Sequence, residues 1–169
     1  MPSKKPASTN ARPRRSLLRA SLLGLSGAGF MAAQSTGPWS PKKQAAGLNP
    51  GQTTNGALIS NCIRSGHFLF VSGISGWYPE RRKEPGDAAV QMRSALTTMK
   101  EILERSGSSM DNVLKVNIGL VDPEKNFAPM NEGYQGFFSD PAPARSFVGM
   151  TSLQTPGSLM IVDCIAYVD

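Results

Sequence analysis

The sequence predicts a two-layer α/β sandwich, a single mixed sheet of five or six strands with two helices on one face. Three observations carry this reading. Short apolar runs suited to strands begin near residue 57 and recur to the end of the chain. Two segments between them repeat apolar residues at spacings of three and four, the period of a helix face. The length of 169 residues and a hydrophobic content of 40% suffice for one packed core. No internal repeat interrupts the pattern.

Ala57–Ile63 and His67–Ile74 read as two strands joined by Arg64-Ser65-Gly66, where Gly66 supplies the positive φ of a tight hairpin. Gly76, Pro79, Pro85 and Gly86 mark a turn-rich loop over residues 75–86. A helix follows, capped by Asp87 and stopped near Gly107. Met92, Ala95, Leu96, Met99, Ile102 and Leu103 line its apolar face. Asp111–Leu120 alternates as a strand, with Leu114, Val116, Ile118 and Leu120 on one face. A second helix is expected from Pro129 to Phe138, because proline is tolerated in a first turn and not further in. Arg145–Thr151 and Leu159–Val168 complete the sheet, separated by the turn Thr155-Pro156-Gly157-Ser158. Helices then cover one sheet face only. The other needs an apolar partner, and further copies of the chain supply it most simply, so oligomerisation is expected.

The net charge of +6 is misleading. Six of the 18 basic residues (Lys4, Lys5, Arg12, Arg14, Arg15 and Arg19) lie in residues 1–33, with no acid among them. Residues 34–169 therefore carry 12 bases against 12 acids. A neutral body lacks the clustered positive charge that nucleic-acid binding requires. Residues 1–33 follow the plan of an export signal, with a basic segment, an uncharged Leu/Ala/Gly-rich stretch and small residues at Met31-Ala32-Ala33. Pro13 to Arg19 (PRRSLLR) resembles a twin-arginine translocation signal and predicts a periplasmic protein beginning near Gln34, with no membrane attachment once the signal is removed. A mitochondrial-type presequence, also Arg- and Ser-rich, is the alternative, as is a plain basic tail. Residues 34–55, rich in Pro, Gly and Ser/Thr, read as a linker or loose arm, leaving 56–169 as the folded domain.

The body resembles the RidA/YjgF family of reactive-intermediate deaminases, also called the endoribonuclease L-PSP family. The resemblance is carried by GHFLFVSG at 66–73, DAAVQMRSAL at 87–96 and SGSSMDNVLKV at 106–116, then MNEGYQGFF at 130–138 and PARSFVG at 143–149. It implies a chorismate-mutase-like fold and a homotrimer with ligand clefts between subunits. It also implies hydrolysis of imines or enamines of small 2-keto acids to the keto acid and ammonia, with no metal and no cofactor.

The residues suit that chemistry. The Arg145 guanidinium can grip a carboxylate through two parallel hydrogen bonds. Holding the carboxylate orients the adjacent C=N carbon for attack by water. Ser72 and Gly73 offer hydroxyl and backbone donors, and Asn131, Ser146 and Phe147 complete the expected substrate-binding set around Arg145. The competing reading of Arg145 is a surface ion pair with Asp140 or Asp163. Family deaminases carry two carboxylates two residues apart on the last strand. Here Ile161 takes the first place, that of the water-positioning group, and Asp163 the second, about 6.6 Å along the strand, which leaves Arg145 and Asp163 as the candidate catalytic residues. Isoleucine can neither orient water nor move a proton. The family's aromatic near the first strand has no counterpart at Leu58 and Ile59. These departures point to an altered substrate or weak turnover, or to a non-catalytic carboxylate-sensing trimer; an endoribonuclease is the least favoured reading. Cys62 and Cys164 read as buried thiols, able to pair only if their Cα atoms lie within about 7 Å.

Overall fold

The structure is a computed structural model, and it describes residues 42–169. The segments read as a twin-arginine signal and cleavage site lie outside the described residues. Among the described residues, six strands form one mixed sheet in the order β1-β2-β3-β6-β4-β5. They are β1 (Gln44–Ala46), β2 (Cys62–Ser65), β3 (Phe68–Ser75), β4 (Val113–Val121), β5 (Ala144–Met150) and β6 (Met160–Tyr167). Only β4 and β5 run parallel. Helix α1 (Ala88–Arg105) links β3 to β4, and α2 (Pro123–Tyr134) links β4 to β5.

The hairpin forms as its glycine demands. Gly66 adopts φ 61°, and pairing runs outward from Ser65↔Phe68 to Cys62↔Val71. It stops there because β3 bulges between Val71 and Ile74. Ser72 and Gly73 sit in that bulge, so β2 is only four residues long and residues 57–61 are irregular, with Leu58 and Ile59 exposed. The first strand of the sheet is instead β1, inside the stretch read as a linker, paired Gln44↔Arg64 to Ala46↔Cys62.

Helix α1 matches its sequence pattern. The Asp87 carboxylate accepts the Val90 N–H at 2.9 Å, Gly107 follows the end at φ 78°, and all six predicted apolar positions are buried. Gln91 is the exception on that face, fully buried yet polar. Its side chain donates to the carbonyls of Gly157 (2.9 Å) and Gly86 (3.3 Å) and accepts the Leu159 N–H (2.8 Å). Gln91→Leu leaves these groups buried and unpaired. It is expected to cost about 2–4 kcal/mol, read as a lower denaturant midpoint in chemical unfolding.

Two readings are corrected. Helix α2 begins at Pro123, not Pro129, and ends at Tyr134, not Phe138. Asp122, in the left-handed region at φ 47°, turns the chain into the helix, and its carbonyl accepts from Lys125 and Asn126. The Asn126 side chain donates to the Val121 carbonyl at 2.7 Å and fastens the first turn. Pro129 lies inside the helix, where the residue four before it, Lys125, is exposed and its freed carbonyl can turn to water. In β4, Leu114 is exposed and Val113 buried, the reverse of strict alternation. The pairing with β6 skips Leu114 (Val113↔Ala166, then Lys115↔Ile165), and this bulge flips one residue to the other face.

The core lies between the sheet and the helices: Leu69, Val71, Val116, Ile118, Val162 and Ala166 pack toward α1. Phe68, Phe70, Leu114, Val148 and Ile161 stay exposed among the sheet residues.

Candidate functional site

Strand β5 is a sheet edge, and alternation divides its side chains between two faces. Arg145 pairs with Val116 and Phe147 with Ile118, so both lie on the helix side. There α2 supplies a matching stripe. The Arg145 guanidinium lies 4.7 Å above the Tyr134 ring, and Phe147 packs on Phe127 with ring centroids 4.9 Å apart. Phe127, Asn131 and Tyr134 follow one another at i, i+4 and i+7, which places Asn131 on the stripe that faces the edge. Arg145 is exposed and has no ion-pair partner among the described residues. The ion pair with Asp140 or Asp163 is therefore not formed.

Burial raises the pKa of Tyr134 above the ordinary tyrosine range, and the Arg145 charge opposes that rise. The Tyr134 hydroxyl is buried without a hydrogen-bond partner. Tyr134→Phe removes an unsatisfied group and keeps the ring under Arg145. Thermal unfolding is expected to show an unchanged or slightly higher Tm.

Ser146 and Asp163 lie on the opposite sheet face. Asp163 pairs with Asn117 across β4 and β6 and accepts its side-chain N–H at 2.8 Å, and Lys115 Nζ donates to Ser146 Oγ at 2.6 Å. Asn117, Ser146, Val148, Met150, Ile161 and Asp163 border an open hollow of about 430 Å³, which Phe147 also reaches. Ile161 covers two glycines. Its Cδ1 sits 2.6 Å from where a Cβ of Gly73 would stand, and its Cγ2 2.9 Å from that of Gly119. Ser72 is already engaged, donating from Oγ to the Ser60 carbonyl at 2.6 Å. The candidate residues thus form two clusters. Arg145, Phe147 and Asn131 flank the β5–α2 edge, while Gly73, Ile161, Asp163 and Ser146 lie on the sheet face away from the helices.

Sequence reasoning missed Phe127, Tyr134 and Asn117. Placing the start of α2 at Pro129 hid Phe127 and the stripe it begins, and Tyr134 stood out only as part of the MNEGYQGFF motif. Asn117 is one of two polar residues of the strand, with Lys115, and nothing in the sequence singles it out.

Cys62 and Cys164 are free and buried. Each pairs with Val71, from opposite sides, so two strand spacings (about 9.6 Å) separate them. That exceeds disulfide reach. Burial, reinforced by the nearby Cys62 thiol and the Asp163 carboxylate, pushes the Cys164 thiol up to about 12. Its folded pKa lies above the ordinary thiol value near 9.0, so the stability tied to the neutral thiol is complete below pH 9 and is lost between pH 9 and about 12. Over that window it falls by up to about 1.4 kcal/mol per pH unit. Cys164→Ala is expected to flatten that part of the stability profile, measured by urea unfolding at a series of pH values.

Fold and edge together define a single-sheet α+β domain with an exposed cation at a parallel edge strand, set among aromatic side chains. The family model for Endoribonuclease L-PSP matches residues 54–168, and the chain belongs to that family. The mitochondrial protein MMF1 of Saccharomyces cerevisiae is 37% identical over 97 residues, 57% of this chain and 66% of that protein. The chloroplastic Reactive Intermediate Deaminase A of Arabidopsis thaliana is 33% identical over 128 residues, 75% of this chain and 63% of that protein. A 2-iminobutanoate/2-iminopropanoate deaminase of Dermatophagoides farinae is 33% identical over 95 residues, 56% of this chain and 73% of that protein. Among solved structures, the crystal structure of yeast Mmf1 superposes with a TM-score of 0.64 at 30% identity, covering 76% of this chain and all of that one. These relatives carry organellar destinations, mitochondrial in yeast and chloroplastic in a plant. They overturn the periplasmic destination read from residues 1–33, a composition that presequences share.

Proposed function

We propose that the protein hydrolyses imines or enamines of small 2-keto acids, with Arg145 as the carboxylate clamp. The observation that carries this is the Arg145 guanidinium itself, exposed at the β5 edge, supported from behind by the Tyr134 ring and unpaired with any acid among the described residues. Water adds to the C=N carbon, the nitrogen takes up protons, and the C–N bond breaks to leave the keto acid and ammonia. Arg145 fixes the carboxylate beside that carbon, Asn131 and Ser146 line the site, and Asp163, oriented by Asn117, is the group that positions water. The deaminase names of two relatives support this reading.

The clusters on the two faces of β5 support a composite site in a homotrimer, the β5–α2 edge of one protomer meeting the Ser72–Gly73 bulge of its neighbour. The apolar residues left exposed on the sheet support such an assembly, since a monomer leaves them in water. An endoribonuclease role, present in the family's name, fits poorly with a neutral body. Residues 1–33, basic and free of acids, fit an organellar presequence.

The test is ammonia release from freshly generated 2-iminobutanoate by the full chain, with mass measured by light scattering. Turnover by a trimer supports the proposal. Binding of 2-oxobutanoate without turnover would make the protein a carboxylate sensor instead.

A further inference from the structure

We infer that the imine this protein accepts carries a large apolar side chain, aromatic in the first instance. The inference rests on the carboxylate-clamp reading of Arg145 and names the substrate class of that site. Arg145 and Phe147 lie two residues apart on one face of β5, about 6.6–6.8 Å along the strand. A ligand whose carboxylate lies on Arg145 therefore has its side chain within reach of the Phe147 ring. That ring and its partner Phe127 are 44% and 36% exposed, tilted at 42° to each other, so both present apolar surface beside the cation. A methyl group would cover little of it, whereas an aromatic ring fits the offset or edge-on packing that such faces favour.

The remaining surroundings add apolar surface. The hollow that Phe147 borders on its other side is lined by Val148, Met150 and Ile161. Ile161, packed over Gly73, covers the bulge with hydrocarbon. The polar side chains around Phe147 are Arg145, which holds the carboxylate, Asn131 on the α2 stripe, and the engaged pairs Lys115–Ser146 and Asn117–Asp163.

The product keto acids give a direct measurement. Titration calorimetry on the full chain should show phenylpyruvate binding at least tenfold tighter than pyruvate, the discrimination an apolar pocket supplies for several buried carbons. Phe147→Ala and Phe127→Ala should each bring that ratio below threefold, and Phe147→Leu should retain part of it. Arg145→Ala should abolish binding of both acids. Equal wild-type affinities, with both lost in Arg145→Ala, overturn the inference and leave the clamp intact. A high ratio that neither alanine variant changes overturns it as well, because the side chain then lies elsewhere. If neither acid binds the wild-type protein, inference and clamp fall together.

Discussion

Arg145→Ala is expected to lower kcat/KM for 2-iminobutanoate by roughly 10²–10⁴-fold while leaving the fold intact. Two charge-assisted hydrogen bonds to a carboxylate contribute about 1.5–3 kcal/mol each, and every 1.4 kcal/mol is tenfold. The structural cost is small, since Arg145 is exposed and its one described contact is the Tyr134 ring, worth about 0.5–1 kcal/mol. Arg145→Lys separates charge from geometry. It keeps the cation and loses the planar fork, so it should fall between wild type and alanine. Steady-state ammonia assays beside far-ultraviolet circular dichroism check all three proteins. Full activity in Arg145→Ala would remove the guanidinium from the reaction.

The second large effect concerns the junction of the two helices. Gly133 is buried against α1, and a Cβ there would meet the Ala89 carbonyl oxygen, the Met92 Cβ at 2.8 Å and the Ala89 Cα at 3.0 Å. Two of these are backbone atoms that cannot rotate aside. Gly133→Ala gains up to about 1 kcal/mol of helix propensity, yet the helices must part, and overpacking of this kind costs about 1–3 kcal/mol or more. A net destabilisation of about 2 kcal/mol is expected in urea unfolding. Gly107→Ala makes the contrast. It has open space around it and only the strain of φ 78°, worth about 1–2 kcal/mol. An unaltered midpoint for Gly133→Ala would show that α2 can slide without loss. Because α2 carries the stripe behind Arg145 and Phe147, the same variant should also weaken carboxylate binding.

Much of this was legible beforehand. Helix α1 was plain because its cap, its apolar period and its terminal glycine agree. The sheet and its two helices followed from ordered short elements, and the family followed from five spaced motifs. What escaped depended on longer-range pairing. Gln44–Ala46 has no strand signature of its own and becomes a strand because β2 offers it an edge. Leu114 obeys the alternation rule until a bulge, visible only from its β6 partner, reverses it. Pro129 was given the weight of a helix start, although Asp122-Pro123 already supplied one. At the site, Arg145 was legible from its motif. Its separation from Asp163 onto another sheet face was not, because that depends on which strand neighbours β5 and in what register.

The two thiols flanking Val71 have a consequence for how the fold responds to its redox surroundings. Set a strand apart on either side of one valine, they leave the fold no covalent bond to gain or lose as the surrounding glutathione potential changes. Folding involves no disulfide chemistry, and melting curves recorded with and without dithiothreitol should superimpose.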